Sequence, residues 1–146
     1  MRELPRQLSA EELAALFEGR TRLVELLATR ENPLGSADDA IAELDEAERL
    51  EALNAHPAIG ARSGLSARSA AEQGASADPV ILTELAYLNQ VYEEKFGFRF
   101  VVFVDGRPKT EILEVLRSRL ERTREEELET ALRELVAIAR DRWENP

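Results

Sequence analysis

The chain has 146 residues, enough for one core, and this length predicts a single domain over residues 1–146. It contains no cysteine and one histidine, which excludes disulfides, a thiol nucleophile, iron–sulfur ligation and the common His/Cys zinc sites. Twenty-nine acidic against 19 basic side chains leave a net charge of −10, so nucleic acid and anionic membrane surfaces are poor partners.

The apolar spacing is helical almost throughout. Ser9 and Glu12 form the pattern of a capping box, and Leu13, Leu16 and Phe17 follow on one face. Thr21 predicts a second, short helix with Leu23, Leu26 and Leu27 inward, stopped by Asn32-Pro33. Ser36 and Asp39 predict a longer helix running through Ile41, Leu44, Leu50 and Leu53 to about Asn54. Residues 58–78 are rich in Gly, Ser and Ala and read as a loop. Asp78-Pro79 is a strong helix start, and Ile81, Leu82, Leu85, Leu88, Val91 and Tyr92 continue it to a stop at Gly97. Phe98 to Val104 is the one extended segment, bounded by Asp105-Gly106 and without a second strand to pair with. Thr110 then opens a helix to Leu120, and Thr123 with Glu126 opens the last, which runs to about Trp143 with Leu128, Leu132, Leu135 and Ile138 inward. The expected fold is an all-α, single-domain bundle of about six to eight helices with one short extended segment. No apolar run reaches the ~18–20 residues of a membrane span, and the charged start MRELPRQLSAEEL does not read as a signal peptide. Both features predict a cytoplasmic protein.

Few polar residues stand where solvation is an awkward explanation. On a helical wheel Arg142 lies within about 20° of Leu135 and about 40° of Leu128, whereas Arg140 is about 140° from Leu135. Arg142 is therefore expected to face the core and Arg140 the solvent. The alternative for Arg142 is a cation that snorkels past apolar neighbours at a helix C-terminus. His56, between a helix end and Pro57, is the only side chain whose unperturbed pKa is near neutrality, although it could instead cap the last carbonyls of its helix. Glu72 sits in the small-residue loop, where plain solvation competes with any role. The Phe98–Val104 run reads either as a buried connector or as backbone facing a pocket.

Taken together, these segments resemble the 2-oxo-4-hydroxy-4-carboxy-5-ureidoimidazoline (OHCU) decarboxylase family. His56-Pro57-Ala58-Ile59-Gly60 is similar to its HPDLAG-type motif, with Ala58 where the family carries an acidic residue. Ser69-Ala70-Ala71-Glu72-Gln73 matches its S-x-x-E-Q segment, and Leu88-Asn89-x-x-Tyr92-x-x-Lys95-Phe96-Gly97-Phe98-x-Phe100-Val101 matches its LN-x-x-Y-x-x-(K/R)-FGF-x-FV segment. Ile138 to Trp143 is similar to the closing I-x-x-x-R-L.

The resemblance implies decarboxylation of the unstable hydrolysis product of 5-hydroxyisourate to (S)-allantoin in urate breakdown. It implies His56, Glu72 and Arg142 as catalytic residues. Pro57, Ser69, Ala70, Ala71, Gln73 and the stretch Phe100, Val101, Val102, Phe103 and Val104 would bind the substrate. Neither a metal nor a cofactor is implied, because the substrate's own ring can delocalise the electron pair left by CO₂. The only partner expected is the small ureidoimidazoline itself, with a homodimer left open. Rival readings are a non-catalytic helical interaction module, or an enzyme on the same scaffold acting on another ureide.

Overall fold

A computed structural model describes residues 3–58 and 78–146. Among these residues the chain forms seven helices and no strand. The helices are α1 (Ala10–Phe17), α2 (Arg22–Ala28), α3 (Ala37–Glu43), α4 (Glu46–Asn54), α5 (Pro79–Phe96), α6 (Lys109–Leu120) and α7 (Arg124–Glu144). The all-α class and the helix number agree with the sequence. The chain divides into two compact units, one of Met1–His56 with Leu132–Pro146 and one of Pro57–Ala131, so α7 contributes residues to both.

In the first unit, α1 begins as expected. Ser9 Oγ accepts from the Glu12 amide at 3.1 Å and Glu12 Oε1 accepts from the Ser9 amide at 3.0 Å, which satisfies two of the free donors of the first turn. Thr21 caps α2, whose buried face is Leu23, Val24 and Leu27, with Leu26 only half-buried. This helix ends at Ala28, ahead of the expected stop at Asn32-Pro33. The Thr29 hydroxyl donates to the Leu26 carbonyl at 2.7 Å, and Asn32 takes a left-handed φ of 48° in a turn of its own.

The long helix expected from Ser36 to Asn54 is two helices. Leu44 is extended (φ −81°, ψ 145°) and buried, and Asp45 starts α4 with a second capping box, Asp45 with Glu48. A local alternative for the backbone amides, together with an apolar side chain to bury at the corner, overrides the continuous periodicity. Ser36 makes no side-chain cap, because its hydroxyl donates to the Asn32 carbonyl at 2.9 Å.

The last fifteen residues of this unit correct the wheel at one position. Arg140 does not point into solvent. It is half-buried and its Nε donates to the Leu34 carbonyl at 2.9 Å, because a long side chain can reach around a helix further than its Cβ direction indicates. Arg142 does turn inward and is 1% exposed.

In the second unit, Asp78 caps α5 through the Val80 amide at 2.8 Å, and Gly97 (φ 80°) closes it in the left-handed conformation that glycine adopts without cost. The buried face of α5 is Leu85, Asn89, Tyr92 and Phe96, while Ile81, Leu82, Leu88 and Val91 are half-buried. Tyr92 stands among Phe96, Phe98 and Phe100, with ring centroids 4.6, 5.9 and 5.2 Å away. Residues 98–104 form no helix or strand and bend at Phe98, and Pro108 rather than Thr110 precedes the first turn of α6; its carbonyl accepts from the Glu111 and Ile112 amides.

Thr123 and Glu126 open α7 as expected, and the bonds from Thr123 hold the Glu126 carboxyl below its usual range. The inward residue of this first turn, however, is Glu127, fully buried, while Leu128 is half-buried. Glu127 Oε1 accepts from the Tyr92 hydroxyl (2.6 Å) and Arg119 Nε (2.7 Å), and Oε2 accepts from Arg122 Nη1 (2.9 Å). Arg119 also donates to the Val101 carbonyl at 2.7 Å, and its guanidinium lies 4.6 Å from the Phe100 ring centroid. Removing one member of such a buried set strands the other charges, at a cost of about 3–5 kcal/mol.

Burial, and then the bond to Glu127, push the Tyr92 phenol well above its ordinary 10.0. The folded state thus keeps a proton that the unfolded chain releases, so this contribution is complete below pH 10.0 and is lost as pH rises beyond it. Urea unfolding should show stability falling by about 1.4 kcal/mol per pH unit past that point from this one proton, and Tyr92→Phe should remove that slope. Equal slopes in the two proteins would contradict it. Arg140→Ala should lower stability by about 0.5–1.5 kcal/mol through loss of the bond to Leu34, with turnover unchanged. A thermal melt indistinguishable from the parent would return Arg140 to the solvent.

Candidate active site

Arg142 is the largest fully buried side chain in the described structure. Its place follows from α7, where Ala131, Leu135, Ile138 and Ala139 form the buried stripe that Arg142 continues by one turn. Within the first unit its Nη1 donates to the Leu16 carbonyl at 2.9 Å, and its Nη2 lies 3.0 Å from Glu18 Oε1. The guanidinium therefore does not snorkel to solvent. It sits at the C-terminal end of α1, where the unpaired carbonyls of the last turn favour a cation.

Glu18, which the sequence reading passed over, is the C-cap residue of α1 and has a left-handed φ of 65°. That conformation favours glycine. A glutamate adjoining Gly19 at the end of an apolar helix reads from sequence as ordinary surface. Only the pairing with a residue 124 positions later gives it meaning.

His56 lies just past the Ala55 C-cap of α4 and is 7% exposed. Its amide donates to the Leu53 carbonyl at 3.2 Å, a three-residue step past the helix end that ties the backbone of His56 to α4. The Nε2 atom is shielded from water. Pro57 and Ala58 after it are half-buried. Ser69, Ala70, Ala71, Glu72 and Gln73 lie outside the described residues.

In the second unit, Phe100, Val101, Val102 and Val104 are buried and Phe103 is half-buried. The backbone of this segment finds arginine partners in place of a neighbouring strand. Val101 accepts from Arg119, and the carbonyls of Phe103 and Val104 accept from Arg107 Nη2 (2.6 Å) and Nε (3.1 Å). Asn89, from the LN-x-x-Y segment, is buried with its Nδ2 donating to the Leu85 carbonyl at 2.9 Å.

Arg119 and Glu127 were also missed. The signal for Glu127 was its position four residues before Ala131 and eight before Leu135, on the stripe that a purely apolar search assigns to Leu128. A hollow of about 540 Å³ in the second unit is lined by Pro79, Val80, Thr83, Glu84 and Tyr87 and contains none of the predicted residues. Its carboxylate, Glu84, pairs with Arg117. Among the described residues no group of three His, Cys, Asp or Glu could hold a metal ion, and no helix is long and apolar enough to cross a membrane.

Comparison with known proteins adds an independent line. The OHCU decarboxylase family profile matches residues 2–144. The chain is 32% identical to a 2-oxo-4-hydroxy-4-carboxy-5-ureidoimidazoline decarboxylase of Haloferax volcanii over 124 residues, covering 77% of this chain and 73% of that one. It is 29% identical to the uric acid degradation bifunctional protein PucL of Bacillus subtilis, covering 97% of this chain but only 31% of that relative's length. A crystal structure of OHCU decarboxylase solved in the presence of (S)-allantoin superposes with a TM-score of 0.74 at 28% identity, covering 90% of this chain and 94% of that one. The match over nearly the whole length, in sequence and in fold, places the chain in the OHCU decarboxylase family.

Proposed function

We propose that this chain decarboxylates OHCU to (S)-allantoin, with His56, Glu72 and Arg142 as the catalytic residues. The observation that carries the reading is the family match across residues 2–144, which includes the only histidine and the buried late arginine. On this reading residues 1–146 act as one OHCU decarboxylase-like domain in the cytoplasm, on a small molecule, without nucleic acid or membrane. A homodimer is compatible with it.

Cleavage of the bond to the carboxylate leaves an electron pair that the ring takes up through its C=N group. The hydroxyl on the same carbon then becomes a carbonyl as a proton arrives at the ureido-bearing carbon. The protein has to hold the breaking bond across the ring plane, stabilise the charge that develops, and supply the proton to one face. His56 is the group that takes the hydroxyl proton and protonates the intermediate. Glu72 holds the ureido and ring N–H groups. Arg142 supplies a planar cation for a carboxylate or carbonyl oxygen, in an orientation that its bonds to Leu16 and Glu18 restrict. Pro57, Ser69, Ala70, Ala71 and Gln73 shape the pocket. Phe100 to Val104 contribute apolar surface and backbone, with three of their carbonyls already held by arginines.

Coupled with urate oxidase and hydroxyisourate hydrolase, the protein should generate optically active allantoin faster than the spontaneous reaction, followed by circular dichroism. Unchanged kinetics with active upstream enzymes would sink the decarboxylase reading, and turnover of a different ureide would move the chain to another substrate. His56→Asn should keep the fold and lose about 10²–10⁴-fold in rate, the usual worth of positioned acid–base catalysis. Retention of more than about a tenth of the activity would show that His56 is not the acid–base group.

A further inference from the structure

We infer that Glu18 is a positioning residue for the reaction, acting through Arg142; this rests on the proposed contact of Arg142 with the substrate. Arginine is a long side chain with a flexible stem, so a guanidinium that must meet a developing oxyanion at a fixed angle needs anchors on more than one of its nitrogens. The structure supplies two from a single turn. Leu16 offers its carbonyl to Nη1 at 2.9 Å, and Glu18 its carboxylate to Nη2 at 3.0 Å. Two acceptors in fixed relation on the planar fork set the plane of the group as well as its position.

Glu18 occupies its place against two local preferences. Its backbone is left-handed, with φ 65°, where a side chain is disfavoured. Its carboxylate stands at a helix C-terminus, where the dipole disfavours an anion. A partner that offsets both is the Arg142 side chain, 0% exposed against 13% for Glu18. In the same way the carboxylate keeps Arg142 from being a lone buried charge. The pair thus holds a cation away from water while leaving its charge balanced, which is the arrangement a preorganised electrostatic group requires.

The test is a double-mutant cycle in the coupled assay. Glu18→Gln should lower kcat about tenfold or more with little change in KM, and Glu18→Asp, which keeps the charge on a shorter stem, should fall between it and the parent. Arg142→Lys should be impaired, and adding Glu18→Gln to it should cost nothing further, because the second residue acts only through the first. Glu51→Gln, which alters the carboxylate bound to the Arg22 amide in the same unit, should leave turnover unchanged. A Glu18→Gln variant within twofold of the parent, alongside a crippled Arg142→Lys, would overturn the positioning role alone. A fully active Arg142→Lys would overturn the arginine's assignment and this inference with it. Independent, multiplicative losses in the double variant, or failure of both Glu18 variants to fold, would make Glu18 a structural bridge and nothing more.

Discussion

Helix α7 buries a charge at each end, Glu127 in its first turn and Arg142 in its last, and each has to be neutralised where it stands. The signs suit the helix, with the carboxylate near the positive N-terminus and the guanidinium near the negative C-terminus. The dipole is worth under about 1 kcal/mol at most positions, far less than the cost of desolvating an ion, so side-chain partners decide the outcome. In the second unit Glu127 gathers Tyr92, Arg119 and Arg122, and Arg119 in turn binds the backbone of the segment after Gly97 at Val101. In the first unit Arg142 gathers the end of α1 through Leu16 and Glu18. Neither set is reached by helical propensity or apolar burial alone.

The two ends differ in the partners they gather. Both oxygens of Glu127 are engaged, with three donors between them, and the surrounding rings of Tyr92 and Phe100 are core. That set ties the segment after Gly97 to α6 and α7 through the Val101 carbonyl, and its use is structural. Arg142 has two of its N–H groups committed to one turn of α1, an arrangement that fixes a cation in place. A group restrained in this way contributes more to a reaction than the same charge on a mobile side chain, since no reorganisation is needed as charge develops.

The sequence shows the parts of this plan that depend on local rules. Capping boxes at Ser9 and Thr123, the Asp78-Pro79 start and the Gly97 stop each lie where turn chemistry indicates, and the FRFVVFV run interrupts the helices as its composition suggests. Periodicity correctly turned Arg142 inward. It failed where competing local bonds or long side chains intervened. Asp45 with Glu48 split a helix that apolar spacing had made continuous, and the Arg140 side chain reached the Leu34 carbonyl from a position nominally facing water. Glu127 was overlooked because a search for buried positions looks for apolar residues, and Glu18 because its partner is distant in sequence. Of the three catalytic residues implied by resemblance, the structure describes His56 and Arg142 as buried polar groups in one unit, and Glu72 lies outside the described residues.

On the proposed function, the one imidazole of this chain works at the substrate site. Because His56 is the only histidine, its ring nitrogens give a single, unambiguous set of resonances in uniformly ¹⁵N-labelled protein without a tag. Titration with (S)-allantoin, with binding followed in parallel by calorimetry, should move those ring signals in step with occupancy. Ring signals that stay fixed while calorimetry records saturation would place the histidine away from the ligand and contradict the account.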